Sequence, residues 1–268
     1  VLRLPAVAGR FYPDDPAALV RQIAGFAVPS EQPSRQALAC VVPHAGYRYS
    51  GHVAAAVYAR LKLPRRFLLL GPRHFPHGKA QAILSEGAWQ TPLGRAEIDS
   101  RLACELKAAD TSLCEDEVAH RTEHALEVQL PFLQHLSGDF RFVPIALGPT
   151  DYLRLESLGQ AMAEVLRRHP EPVLMIASSD MNHYESDAIT RRKDHLALEH
   201  VLELDARGLF DTARHKAISM CGLGPVVSVL TAARLLGAKR ATLVRYATSG
   251  DITGDRQEVV GYAGVIVE

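Results

Sequence analysis

The sequence predicts an α/β fold, a single-domain αβα layered sheet spanning residues 1–268. Three observations lead there. The 268 residues are 47% hydrophobic and 22% charged, a globular composition at a length α/β folds reach as one domain. Short apolar runs alternate with segments of helical composition or period, which favours a sheet with helices on both faces. The first two runs stop at Pro43 and at Gly71-Pro72, residues that end strands.

The elements follow in order. Pro29-Ser30-Glu31-Gln32-Pro33-Ser34 reads as a surface connection. Residues 37–42 suit a strand buried on both faces. Residues 51–61 read as a helix with Ser50 as N-cap. Lys62, Arg65 and Arg66 read as its solvated end. Residues 67–70 form a second buried strand and 82–85 another, and 101–109 form a helix. Across 123–136 the apolar residues fall at 126, 130, 133 and 136, a helical period. Thr122 would cap that helix, and Pro131 would kink it or mark its junction. Then come a strand at 140–147, an amphipathic helix at 153–168, a strong central strand at 173–177 and helices at 189–204 and 225–236. Strands at 241–246 and 259–267 close the chain.

Composition also excludes functions. Thirty basic residues balance thirty acidic ones, so nothing points to a nucleic-acid binder. No apolar run approaches the ~18–20 residues of a membrane span. VLRLPAVAGRFYP is not a signal peptide. The four cysteines contain no CxxC and read as free thiols in a reducing cytoplasm. The chain has no GxSxG, P-loop or HExxH.

In layered α/β sheets ligands bind beyond the carboxyl ends of strands, and histidines collect there. His44 follows the first strand (VVPHAGYRYSG) and His74 the second (LLLGPRHFPHG). Asp180 and His183 follow the central one (LMIASSDMNHYE). His124 opens a helix in RTEHALEVQLPFL, and Cys221 sits in the glycine-flanked turn SMCGLGP. Imidazole and thiolate are ligands of zinc, copper and iron, and a further histidine could move protons. One loop histidine is ordinarily a surface hydrogen-bonding residue, but three after strands suggest a clustered polar site. His77 either lines the same loop or is exposed. His120, His135, His169, His195, His200 and His215 read as surface, His52 as polar lining or nothing, and Cys40 as an apolar filler. Cys104 and Cys114 show no partner pattern. Ser178-Ser179, near Asp180 and His183, offers a weaker hydrolase alternative.

The segments PAVAGRFYP, VVPHAGYRYSGHVAA, LLLGPRHF, EHALEVQLPFL, ASSDMNHY, CGLGPVVSVL and TSGDITGDRQEVVGYAG closely resemble the Memo family, known in prokaryotes as component B of the AmmeMemoRadiSam system. The resemblance runs from about residue 3 to 266 and implies a fold like that of the class III extradiol dioxygenases of the LigB type. It implies His44, His74 and Cys221 as metal ligands, with Cys221 where those enzymes place a glutamate. It implies His183 as a proton-transfer residue, His124 as a second active-site histidine and Asp180 as an orienting or charging group. Iron or copper is the expected metal, with zinc as a further candidate; thiolate in place of carboxylate is a softer ligand and shifts preference toward copper or zinc over Fe(II). A metal-dependent, dioxygenase-like oxidoreductase follows as the leading expectation. The alternatives are a binding module for a peptide or small anion, with Arg73 as an anion contact, and an accessory partner of radical-SAM system proteins. No nucleic-acid or membrane partner is expected.

Overall fold

In the computed structural model, which describes residues 1–26 and 34–268, twelve strands join one sheet. Of the connection from Pro29 to Ser34, only Ser34 lies within the described residues. The strands are β1 (Leu2–Arg3), β2 (Ala39–Val42), β3 (Arg66–Pro72), β4 (Gln81–Ile83), β5 (Ala88–Thr91), β6 (Gly94–Ile98), β7 (Cys114–Glu115), β8 (Arg141–Leu147), β9 (Leu174–Ser178), β10 (His183–Glu185), β11 (Ala241–Thr248) and β12 (Val259–Val267). The α-helices are α1 (Pro16–Gly25), α2 (His52–Tyr58), α3 (Ser100–Ala109), α4 (Glu117–Arg121), α5 (Leu130–Ser137), α6 (Tyr152–Arg168), α7 (Asp187–Leu202), α8 (Ala206–His215), α9 (Leu223–Leu235) and α10 (Gly250–Thr253).

The sheet order is β1-β5-β6-β8-β3-β9-β2-β12-β10. β11 also pairs with β12, and β4 joins β8 to β7. At the centre, β8, β3, β9 and β2 run parallel, with Leu68 opposite Met175 and Val41 opposite Ala177. These strands are apolar without polar alternation because both faces are covered. Successive side chains still point to opposite faces. Val41, Leu68, Leu70, Met175 and Ala177 enter one core with Leu158 and Met162 of α6 and Val226 and Leu230 of α9. Cys40, Val42, Leu69 and Ile176 enter the other with Leu19 of α1, Tyr58 of α2 and Phe132 of α5. Two cores divided by one sheet make the αβα layering expected from the sequence. Helices α6 and α9 approach closely at Gly159, where a Cβ would stand 2.6 Å from Thr231 Cβ.

Three local expectations change. Ser50 is not an N-cap: residues Tyr47–Gly51 form a π-helical turn that runs into α2, and Ser50 Oγ donates to the Ala45 carbonyl. The turn is pinned by Tyr47, buried and donating its hydroxyl to the Val128 carbonyl. Residues 123–136 are not one helix. A non-helical stretch at 123–126 leads through a 3₁₀ turn, Glu127–Gln129, into α5, which begins with Pro131 in its first turn and no cap from Thr122. Proline suits that place because it has no N–H to leave unpaired. His120 is fully buried rather than on the surface. Arg3 covers it, donating Nε to its carbonyl at 2.7 Å, and Trp89 packs on its ring. No helix among the described residues is long and apolar enough to cross a membrane.

Candidate metal centre

Because β2, β3 and β9 are parallel neighbours, their carboxyl ends open on one edge of the sheet. His44, His74 and Asp180 each stand two residues beyond such an end. His183 begins β10, which turns back against β12. Cys221 reaches the same place from the turn between α8 and α9. Gly222 makes this approach feasible: a Cβ there would stand 2.3 Å from Ser179 Cβ.

The nitrogen and sulfur atoms of His44, His74 and Cys221 that could bind a metal all lie within 4.8 Å of one another. Cys221 Sγ is 3.2 Å from His44 Nε2. His44 and His74 meet edge to face at 5.2 Å, and His124 stacks on His74 at 4.5 Å. Together with Asp180, His183, Phe11, Tyr184, Ser219 and Val260 they line a cavity of about 580 Å³.

Hydrogen bonds set the tautomer of each ring. Ser178 Oγ gives its only proton to the Ala125 carbonyl at 2.6 Å and receives an N–H from Gln129. It can therefore only accept from His44 Nδ1, 3.0 Å away, which leaves His44 Nε2 bare. Glu123, fully buried, accepts the backbone N–H of His74 at 2.6 Å and its Nδ1–H at 2.8 Å, so in the neutral ring Nε2 is the atom left to bind. Carboxylate or hydroxyl behind imidazole is the usual support of a metal-binding histidine. His183 Nδ1 donates to the Ser219 carbonyl at 2.9 Å, so in the neutral ring Nε2 is the accepting nitrogen. Asp180 Oδ1 accepts the backbone N–H groups of His44 and Ala45 at 2.8 and 3.3 Å.

Burial, followed by the neighbouring His74, pulls His44 down to about 3. Burial, followed by His44, pulls His124 down to about 4. Both rings are neutral at physiological pH, the form that binds metal. Burial works against ionisation of Glu123, but hydrogen bonds and charge from His74 outweigh it and bring the carboxyl to about 2. Burial raises Asp180 despite its backbone donors. Burial and then Asp180 push the Cys221 thiol upward. The donor set fits a metal: two imidazoles with free Nε2 atoms and one sulfur converge on a small volume. His74, Glu123 and His124 form a second cluster within the same distance, but the Glu123 oxygens are already taken by His74 and the Ala125 N–H.

The structure thus brings together all six residues singled out from the sequence. His124 arrives on a non-helical turn, not at a helix start. Arg73 does not face the cavity: its Nη1 donates to the His77 carbonyl at 2.9 Å and to that of Gly78, holding its own loop. Ser178 and Ser179 are fully buried, with their hydroxyls committed to the Ala125 and Asp180 carbonyls, which counts against the hydrolase alternative. Sequence reasoning missed Glu123, Gln129, Ser178 as a histidine support, Ser219 and Tyr184. Only Glu123 carried a signal, as an acid adjoining His124.

Residues 3–266 match the family model described as Memo-like protein. The MEMO1 family protein Mbar_A1422 of Methanosarcina barkeri is 42% identical over 268 residues, covering all of both chains. The MEMO1 family protein PAE0818 of Pyrobaculum aerophilum is 41% identical, covering 99% of this chain and 98% of that one. Among solved structures, the uncharacterized protein JW3007 from Escherichia coli K12 aligns with a TM-score of 0.58 at 11% identity, covering 85% of this chain and 98% of that one. At that identity the likeness concerns the fold alone.

Proposed function

The chain belongs to the Memo-like family, and from that premise we propose that it is a metal-dependent oxidoreductase, dioxygenase-like in its pocket, acting on a small organic molecule. The observation that carries the reading is the convergence of His44, His74 and Cys221 within 4.8 Å, with both Nε2 atoms freed by their supporting hydrogen bonds. A bound iron or copper ion would supply electron transfer and Lewis acidity; zinc, without redox chemistry, would supply the second only. His44 and His74 would hold the ion through Nε2, and Cys221 would do so as the thiolate. His183, with Nδ1–H tied to Ser219, takes a proton from a substrate hydroxyl through Nε2. His124, neutral and stacked on His74, offers a hydrogen bond to a polar substrate atom. Asp180 positions the His44 loop through two backbone N–H groups. Four free cysteines suit a reducing cytoplasm.

Metal analysis of untagged protein tests the ligand set. His44→Ala and Cys221→Ala should each lower metal content, and unchanged content in both refutes it. Oxygen uptake with a panel of catechols tests the chemistry, turnover being lost in His183→Ala. A second reading, a binding module, draws on Tyr184, a residue 73% exposed at the cavity. Saturable binding without turnover supports it. An accessory role beside radical-SAM proteins rests on the family label, and co-purification tests it.

A further inference from the structure

A second and larger cavity, of about 890 Å³, adjoins the metal centre, and Phe11 and His124 line both. Their rings lie 4.7 Å apart at the border of the two cavities. The cavity is mainly apolar, with Leu4, Leu84 and Phe75 among its lining residues. Leu4 is 66% and Phe75 42% exposed, so apolar surface here is left uncovered among the described residues. Its charge is one-sided. Arg10 and Arg121 line it and form no ion pair among the described residues, and Glu117 is the one acid on the wall. Arg3, also on the wall, is neutralised by Glu127 at 2.7 Å. The space falls in the range of roughly 300–1,000 Å³ that holds a small molecule.

We infer that the substrate is an amphipathic organic anion lying across both cavities. Its reacting polar group faces His44, His74 and Cys221, its apolar body passes Phe11 and His124, and its carboxylate or sulfonate meets Arg10 and Arg121. Guanidinium suits such an oxyanion because it offers paired N–H donors and keeps its charge at any physiological pH. This rests on the metal-centre reading above, but the binding it requires can be measured without metal.

The test uses metal-free protein and two fluorescent probes of similar shape: anilinonaphthalene sulfonate, an apolar body with an anion, and its uncharged counterpart phenylnaphthylamine. Saturable binding of both at one site per chain is expected. The double variant Arg10→Ala/Arg121→Ala should weaken the sulfonate about tenfold or more, the scale of a lost charge-assisted contact, and leave the neutral probe unchanged. Leu84→Trp, which fills the cavity, should abolish both. Leu4→Glu, at an exposed position, should weaken the sulfonate alone. Equal loss of both probes in the arginine variant, or no loss, overturns the anion assignment. Retention of both in a cooperatively melting Leu84→Trp protein overturns the site. Copper loaded into the wild-type centre should quench the bound sulfonate, and His44→Ala, which lacks one metal ligand, should lose that quenching. Unquenched probe on copper-loaded wild type overturns the link between the cavities. Failure of the metal reading shows separately, as metal content indifferent to His44→Ala.

Discussion

Replacing Glu123 by glutamine separates the carboxylate behind His74 from the cavity in front of it. The carboxylate accepts three N–H groups: His74 N at 2.6 Å, His74 Nδ1 at 2.8 Å and Ala125 N at 2.9 Å. Glutamine keeps one accepting oxygen and puts an NH₂ where the other stood. Whichever way the amide turns, at least one of these donors faces another donor: His74 N with the NH₂ at the Oε2 position, or His74 Nδ1 and Ala125 N with it at the Oε1 position. If that donor is His74 Nδ1, the ring proton moves to Nε2 and the ring can no longer bind metal without losing it again. Loss of a hydrogen bond to a charged group is worth about 1.5–3 kcal/mol. Loss of such support behind a metal-binding histidine typically weakens affinity ~10–100-fold, or about 1.4–2.7 kcal/mol. The two scales agree, so a Kd raised by one to two orders of magnitude is expected. Competition with a chromophoric chelator for anaerobic cobalt measures it, with Glu123→Asp retaining part of the affinity. An unchanged Kd in well-folded Glu123→Gln protein would refute the idea that Glu123 sets the His74 tautomer.

Other outcomes follow from the same structure. The Cys221 thiol is raised by burial and by Asp180, whereas burial already keeps His44 neutral down to about 3. Metal uptake near neutral pH should therefore release about one proton, read by calorimetry in buffers of different ionisation enthalpy, and Cys221→Ala should release none. Gly222→Ala should cost roughly 1–3 kcal/mol in stability through overpacking against Ser179 and weaken metal binding, as denaturant melts and metal titration would show. Hydrogen bonding to Arg191 leads the effects that lower Asp187 from its ordinary 3.8 to about 2, with Thr248 and Arg256 adding to it. A lowered carboxyl contributes stability that is present above its unfolded value and lost as pH falls towards 2. Because Arg191 and Arg256 are partly exposed, screening reduces that contribution to about 1 kcal/mol. Asp187→Asn should show this deficit at neutral pH and lose it as pH falls from about 4 to about 2 in thermal melts.

The strands of the central sheet could be read directly because each is a local property of the chain. Leu68, Leu69 and Leu70 are apolar whatever lies beside them, and Pro43 and Gly71-Pro72 stop their strands by their own backbone chemistry. That His44, His74 and Asp180 follow strands was equally a matter of position along the chain. Which strands become neighbours was not, because pairing β2, β3 and β9 depends on contacts across more than a hundred residues. Ser178 supports His44 from 134 positions away, and Cys221 reaches His44 across 177. The misread segments have the same origin. The period across 123–136 is helical, but the buried carboxylates of Glu123 and Glu127 bind backbone and side-chain donors on distant segments, and those bonds outweigh local helix preference. His120 looked like a surface histidine because its cover, Arg3 and Trp89, lies far along the chain. Local chemistry determined the strands and the kinds of ligand atom at their ends. The tertiary structure alone decided that those atoms share one centre, because their convergence is a sum of long-range packing contacts that no short stretch of sequence contains.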